Sequence, residues 1–215
     1  GRVHHLVANG SLDAFAVTAT NYHIGSAGTF FDAEPGVQAW ARNNHLGVSQ
    51  TLSTEHILAS SAIPIFFPAV KMGNAWFGDG TVRLLAPLSP AVRMGSSALL
   101  AIGVRKPPVA SRLAELNQRP GREISFADIA GVVLNAVFLD TLETDLERLI
   151  RFNRALHGMT HEAKAALEQS WRLIDAESVQ PSRDLGLGAS GQSERYPWLL
   201  RHLLRGLGVD RRGLL

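Results

Sequence analysis

The amino-acid sequence predicts an α/β fold: a mostly parallel sheet with helices on both sides, in three layers. Three observations predict it. Apolar residues make up 46% of the 215-residue chain and charged residues 19%, a balance that suits a packed core. Segments of strand periodicity alternate with segments of helical periodicity, which builds layered sheets covered by helices. Ser97–Val104 contains an unbroken run of five aliphatic residues, Ala98–Ile102, the continuous pattern of a strand buried on both faces, as in a parallel sheet.

Each element follows in order. Leu12–Thr20 alternates Phe15, Val17 and Ala19 with smaller or polar residues and predicts a strand. Gly25–Gly28 is a turn, and Thr29–Phe31 a short return strand. Gly36–Asn43 predicts a short helix with Trp40 on its inner face, broken by Asn43-Asn44. Ser53 or Thr54 caps a helix from Glu55 to about Ser61, with Glu55 where the helix dipole favours an acid. Pro64 stops it, and Pro68 keeps the apolar run Ile65-Phe66-Phe67 out of a sheet interior. Ala75-Trp76-Phe77 leads as a strand into Gly78-Asp79-Gly80, and a helix starts near Pro90. Pro107–Arg122 is a loop or short helix. Ser125–Asp128 then opens a long helix whose stripe runs from Ile129 to about Leu156. Arg172–Val179 reads as a strand ended by Pro181, Asp184–Glu194 as loop, and Pro197 begins a last leucine-faced helix.

Composition excludes several classes. With no cysteine, disulfides and thiolate metal sites are ruled out. No apolar run approaches the roughly 20 residues of a membrane span, and the start, Gly1-Arg2, does not read as a signal peptide. A cytoplasmic or peripheral-membrane location is expected. The net charge is only +2, but Arg195, Arg201, Arg205, Arg211 and Arg212 crowd the end. A solvated helix face explains that spacing; peripheral contact with anionic lipid headgroups is the sharper alternative. Nucleic-acid binding lacks any accompanying motif.

The block that carries chemistry is Ala59-Ser60-Ser61-Ala62-Ile63-Pro64, then Phe67-Pro68, Gly78-Asp79-Gly80 and Pro87-Leu88-Ser89-Pro90-Ala91. Asp79 ends a strand, and Gly80 allows a sharp turn beside it. Acids at the carboxyl ends of strands stand where α/β sites form, although Asp-Gly is also a common turn dipeptide.

In its order of motifs this block resembles the patatin-like phospholipases of bacterial type. There a small-residue helix ending in Ala-Ser-x-Ala-x-Pro precedes Phe-Pro and then Asp-Gly-Gly or Asp-Gly-Ala. The likeness extends to Ala19-Thr20-Asn21-Tyr22, Phe138-Leu139-Asp140, Asp145-Leu146-Glu147-Arg148, Pro181-Ser182-Arg183-Asp184-Leu185 and Leu204-Arg205-Gly206-Leu207-Gly208, and so spans about Phe15–Gly208. The resemblance implies a partial patatin-like fold, with residues 1–106 the C-terminal part of the catalytic domain and 107–215 a mainly helical extension. It implies a lipid acyl hydrolase acting on lipid or acyl esters without cofactor. It also implies that Asp79 is the base of a serine–aspartate dyad, taking the serine proton directly.

Two departures stand out. Thr81 replaces the family's Gly or Ala, so an ordinary or slightly reshaped turn is expected there. No Gly-x-Ser-x-Gly and no adjacent glycines occur. The nucleophile and oxyanion loop are therefore expected outside this chain, in a missing N-terminal half of the same fold, and the chain alone is expected to be inactive. The alternative is a non-catalytic fragment or a lipid- or partner-binding domain.

Other patterns carry less. Ser190 in Gly188-Ala189-Ser190-Gly191-Gln192 lacks the final glycine and an elbow context. Gly186-x-Gly188-x-x-Gly191 does not follow directly from a strand. His157 and His161 have metal-ligand spacing, but Gly158 and Thr160 lie between them, so a polar helix end is expected and no metal. Glu55-His56 fits a capped first turn, and His4-His5 carries no signal.

Overall fold

A computed structural model of the chain describes residues 1–42, 45–64, 66–103, 129, 141–165 and 172–181. The chain divides into two compact units, Gly1–Leu99 with Thr141–Glu177, and Leu100–Asp140 with Ser178–Leu215. The first unit contains helix α1 (Arg2–Ala8), strands β1 (Ala14–Asn21), β2 (Ser26–Ala33), β3 (Trp40–Arg42) and β4 (His45–Ser49), then α2 (Thr54–Ser60), β5 (Val70–Met72) and β6 (Ala75–Asp79). A 3-10 turn over Gly80–Val82 and α3 (Ser89–Arg93) follow, and later α4 (Thr141–His157) and α5 (His161–Ala165). Strands β7 (Ala98–Ile102) and β8 (Asp175–Val179) begin in the first unit and end in the second. Among the described residues of the second unit are the ends of these two strands and the single helical residue Ile129.

The main sheet has six strands in the order β3-β4-β2-β1-β6-β5. The fold is α/β, but the expectation of a mostly parallel sheet is corrected. Only β2 and β4 run parallel; the other four neighbouring pairs are antiparallel. The reason lies in the connections. A parallel neighbour needs a crossover of a dozen or so residues, whereas β1 turns into β2 through Tyr22–Gly25 and β5 into β6 through Gly73-Asn74. Asn21 closes the first turn, its Oδ1 accepting from His23 N at 2.9 Å and its carbonyl from Gly25 N at 2.9 Å. Gly25 and Gly73 have φ of 64° and 59°, which suits residues without a Cβ.

Two further expectations change. Gly36–Asn43 is not a helix: Gly36 stands at φ 126°, and Trp40 belongs to β3. Its ring stacks on Phe31 at 5.1 Å between centroids, an 11° interplanar angle. Opposite Trp40 is Gly47, whose missing Cβ leaves the space the indole fills. Aromatic packing across the sheet thus overrides the local pattern. The strand at β7 forms as expected, but it is not covered on both faces: Leu100 is 61% exposed and Ile102 72%. It pairs with β8 in a separate two-stranded sheet instead of entering the main one.

α2 matches its sequence signals within a residue. Ser53 is its N-cap, and His56 reaches back so that Nδ1 accepts from Ser53 N at 3.1 Å. The helix packs on β1, β5 and β6 and closes a core of Ala19, Phe30, Ala59 and Phe77. Phe30 meets Phe77 edge-on at 5.6 Å and the His56 ring at 5.0 Å. The glutamate–histidine pair there serves the helix terminus, as the sequence suggests. α1 has no counterpart among the expected elements; it buries Val7, and His4 Nδ1 lies 3.0 Å from Asp32 Oδ2. The first part of the long helix expected from Ser125, apart from Ile129, the Asp184–Glu194 loop and the terminal helix lie outside the described residues.

Candidate active site

Asp79 is the last residue of β6 and is 8% exposed. It stands opposite Ala19 on β1, so it shares the face on which α2 packs. Its backbone is tied on both sides. Asp79 N donates to Ala62 O at 2.9 Å, just beyond α2, and Thr20 Oγ1 donates to Asp79 O at 2.8 Å. The small residues of the Ala59–Ala62 stretch now have a physical reason: Ala59 and Ala62 are buried, and bulk there would hold α2 away from the strand end.

The carboxylate is oriented by Thr81. Oδ1 accepts from Thr81 N at 2.8 Å and from Thr81 Oγ1 at 2.6 Å. Oδ2 accepts no hydrogen bond among the described residues, and no lysine, arginine or histidine of that set pairs with Asp79. The turn at Thr81 is the ordinary 3-10 kind, with Asp79 as its N-cap. The threonine that departs from the expected pattern adds a hydroxyl donor to the acid.

Both flanking glycines are needed for space and not for a left-handed φ. A Cβ on Gly80 would run into the backbone carbonyl of Thr18, and one on Gly78 into the ring hydroxyl of Tyr22. Tyr22 therefore leans over the strand end. Its phenol is pushed above its usual pKa of 10.0 by burial and then by the negative charge of Asp79. Comparison with protein-family models, with curated proteins and with solved structures finds no match for this chain. What the site can do must therefore be argued from its own geometry.

The structure brings together three pieces that the sequence placed apart: the end of α2, the Gly78-Asp79-Gly80 corner and Thr20–Tyr22. Thr20 and Tyr22 were legible only as part of a resemblance; a local signal existed in the polar turn of β1 after Ala19. Ser190 and the glycines from Gly186 to Gly191 lie outside the described residues. His157 closes α4 and His161 opens α5. Among the described residues no group of three or more histidines or acids could hold a metal. No described helix is long and apolar enough to cross a membrane.

Proposed function

We propose that this chain supplies the base of a patatin-like lipid acyl hydrolase, with Asp79 working on a serine that lies outside these 215 residues. The carrying observation is the state of the carboxylate: buried at a strand end, held through Oδ1 by two donors of Thr81, with Oδ2 free of a described partner. A histidine-free dyad needs this arrangement. One oxygen fixes the plane while the other receives the hydroxyl proton at roughly 2.6–3.2 Å. The serine then attacks the acyl carbonyl, and donors from the same outside segment stabilise the oxyanion. The antiparallel sheet order is a departure from the parallel three-layer arrangement that such an enzyme would be expected to share. The reading rests on the corner around Asp79 and not on the sheet as a whole.

Contact with lipid has its own support. Ile57, Leu58, Phe66 and Phe67 are exposed on α2 and the segment after it, the stretch whose Ala62 bonds Asp79. An exposed apolar cluster beside a candidate acid suits an ester carried by a membrane or micelle.

The test is Asp79→Asn in the full-length protein that bears the serine, with hydrolysis of a p-nitrophenyl ester as readout. Asparagine keeps an oxygen for Thr81, so the turn and the melting temperature should hold. Turnover should fall by about 10²–10⁴, the usual contribution of a positioned base. Full turnover in Asp79→Asn, together with a lowered melting temperature in Asp79→Ala, would leave Asp79 as a turn cap and end the enzymatic assignment.

A further inference from the structure

On the other side of the sheet from Asp79, within the first unit, lies an open cavity of about 1010 Å³ bordered by residues of β3, α3 and α4. Small-molecule sites usually occupy roughly 300–1,000 Å³, so the space is ample for one. Its walls divide by chemistry. Trp40, Leu149 and Phe152 supply apolar surface, while Arg42, Arg93, Arg148 and Arg172 supply positive charge and Asp145 is the one acid among the described lining residues.

Two of those charged groups are already committed. Arg172 donates to Val92 O at 2.7 Å and to Ser96 O at 3.3 Å, closing the C-terminal end of α3. Asp145 Oδ2 accepts from Leu88 N at 2.9 Å, and burial pushes its carboxyl above the usual range, against the opposing pull of that bond and of Arg148. Arg42, Arg93 and Arg148 stay exposed, and none of the three donates a described hydrogen bond to a carboxylate. Arg93 sits over the Trp40 ring at 5.6 Å, which joins the charged and apolar parts of the wall.

A separate observation asks for an acceptor. Trp40 Nε1 is buried and has no hydrogen-bond partner among the described residues. Buried donors are nearly always satisfied, and Trp40 is one of the residues that border the cavity.

We propose that this cavity binds a single-chain anionic amphiphile, its carboxylate or phosphate held by Arg42, Arg93 and Arg148 and its alkyl tail lying against Trp40, Leu149 and Phe152. Arginine's planar fork suits either headgroup. The site is independent of Asp79 and of the hydrolase reading, so each stands or falls alone.

Isothermal titration of the chain tests it with decanoate and decyl phosphate, each below its micellar concentration. Decanol and inorganic phosphate serve as tail-only and head-only controls. Both anionic amphiphiles should bind saturably at one site, and each control at least about tenfold more weakly, the worth of a charge-assisted hydrogen bond. Preference between decanoate and decyl phosphate tells which headgroup the arginines favour. The double variant Arg93→Gln/Arg148→Gln alters exposed side chains, so its melting temperature should hold while anion binding falls about tenfold or more. Trp40→Phe keeps an aromatic ring beside Phe31 but removes the N–H together with part of the apolar wall, and should weaken binding of both anionic amphiphiles by a smaller factor. With the unaltered chain, high salt should weaken decanoate but not decanol. Equal binding of decanol and decanoate, full binding by the double variant, or no saturable binding at all would overturn the proposal.

Discussion

Phe30 and Phe31 are neighbours on one strand, yet they belong to two different interiors. Phe30 points toward α2 into a core of alanines and aromatic rings, Ala19, Ala59 and Phe77. Phe31 points the other way, completely buried beneath the Trp40 indole. That second face also buries polar groups: Thr29 is fully enclosed, its hydroxyl 2.7 Å from both Thr18 Oγ1 and His45 Nε2. One side of the sheet is thus closed by small residues and leaves its chemistry to the rim, at Asp79. The other is built from a large ring and a polar thread, and keeps an open cavity. Where alanine lines a helix–sheet contact, the layers approach closely. Where the tryptophan ring lies on the sheet beside arginines, an open cavity borders it.

Truncating the two rings should have the largest effect. Phe30→Ala and Phe31→Ala should each cost about 3–5 kcal/mol, the usual range for a buried phenylalanine. Phe30→Ala should lie toward the upper end, because its neighbours are rigid alanines and rings. Urea unfolding of both variants checks the order; equal midpoints would mean that the two faces collapse alike.

Smaller losses are expected at the glycines beside Asp79. Gly80→Ala forces a methyl against the Thr18 backbone, which cannot move without distorting β1, and should cost about 1–3 kcal/mol. Gly78→Ala meets only the outer end of the Tyr22 side chain, which is 43% exposed and can swing aside. Its cost should be smaller by thermal denaturation, with the Tyr22 phenol titrating closer to its usual value.

On the polar face, Thr29→Val removes the hydroxyl that links Thr18 to His45. The partners are left without that bond, so a loss of about 1–3 kcal/mol is expected in chemical unfolding.

The smallest effect is pH-dependent. Burial and then the charge of Arg93 hold the His45 imidazole below its ordinary 6.5, and burial does the same to His56. The unfolded chain therefore binds more protons than the folded one once pH falls below about 6.5. Stability should be flat above that value and decline as pH falls from it toward the folded-state pKa values. His45→Gln should reduce the slope and His56→Gln remove part of the remainder, as urea midpoints across pH 5–8 would show.

Much of the local structure was legible. Strand β1 follows its alternation, α2 begins at the serine that caps it, β6 runs into Asp79, and α3 starts beside Pro90. Each depends on contacts within a few residues, where side-chain period, capping groups and proline act directly. The placement of Asp79 at a strand end is of this kind.

Local residue patterns therefore fixed β1, α2, β6 and α3, and which acid stands at the end of a strand. Only the tertiary structure decided which strands pair and in what direction, that Trp40 is a strand residue stacked on Phe31, that β7 is left exposed, and that Thr81 and Tyr22 gather around Asp79. Pairing of distant segments is a choice among partners whose propensities look the same locally. It is settled by which long-range packing fills space and satisfies buried hydrogen bonds, and no window of neighbouring residues contains that information.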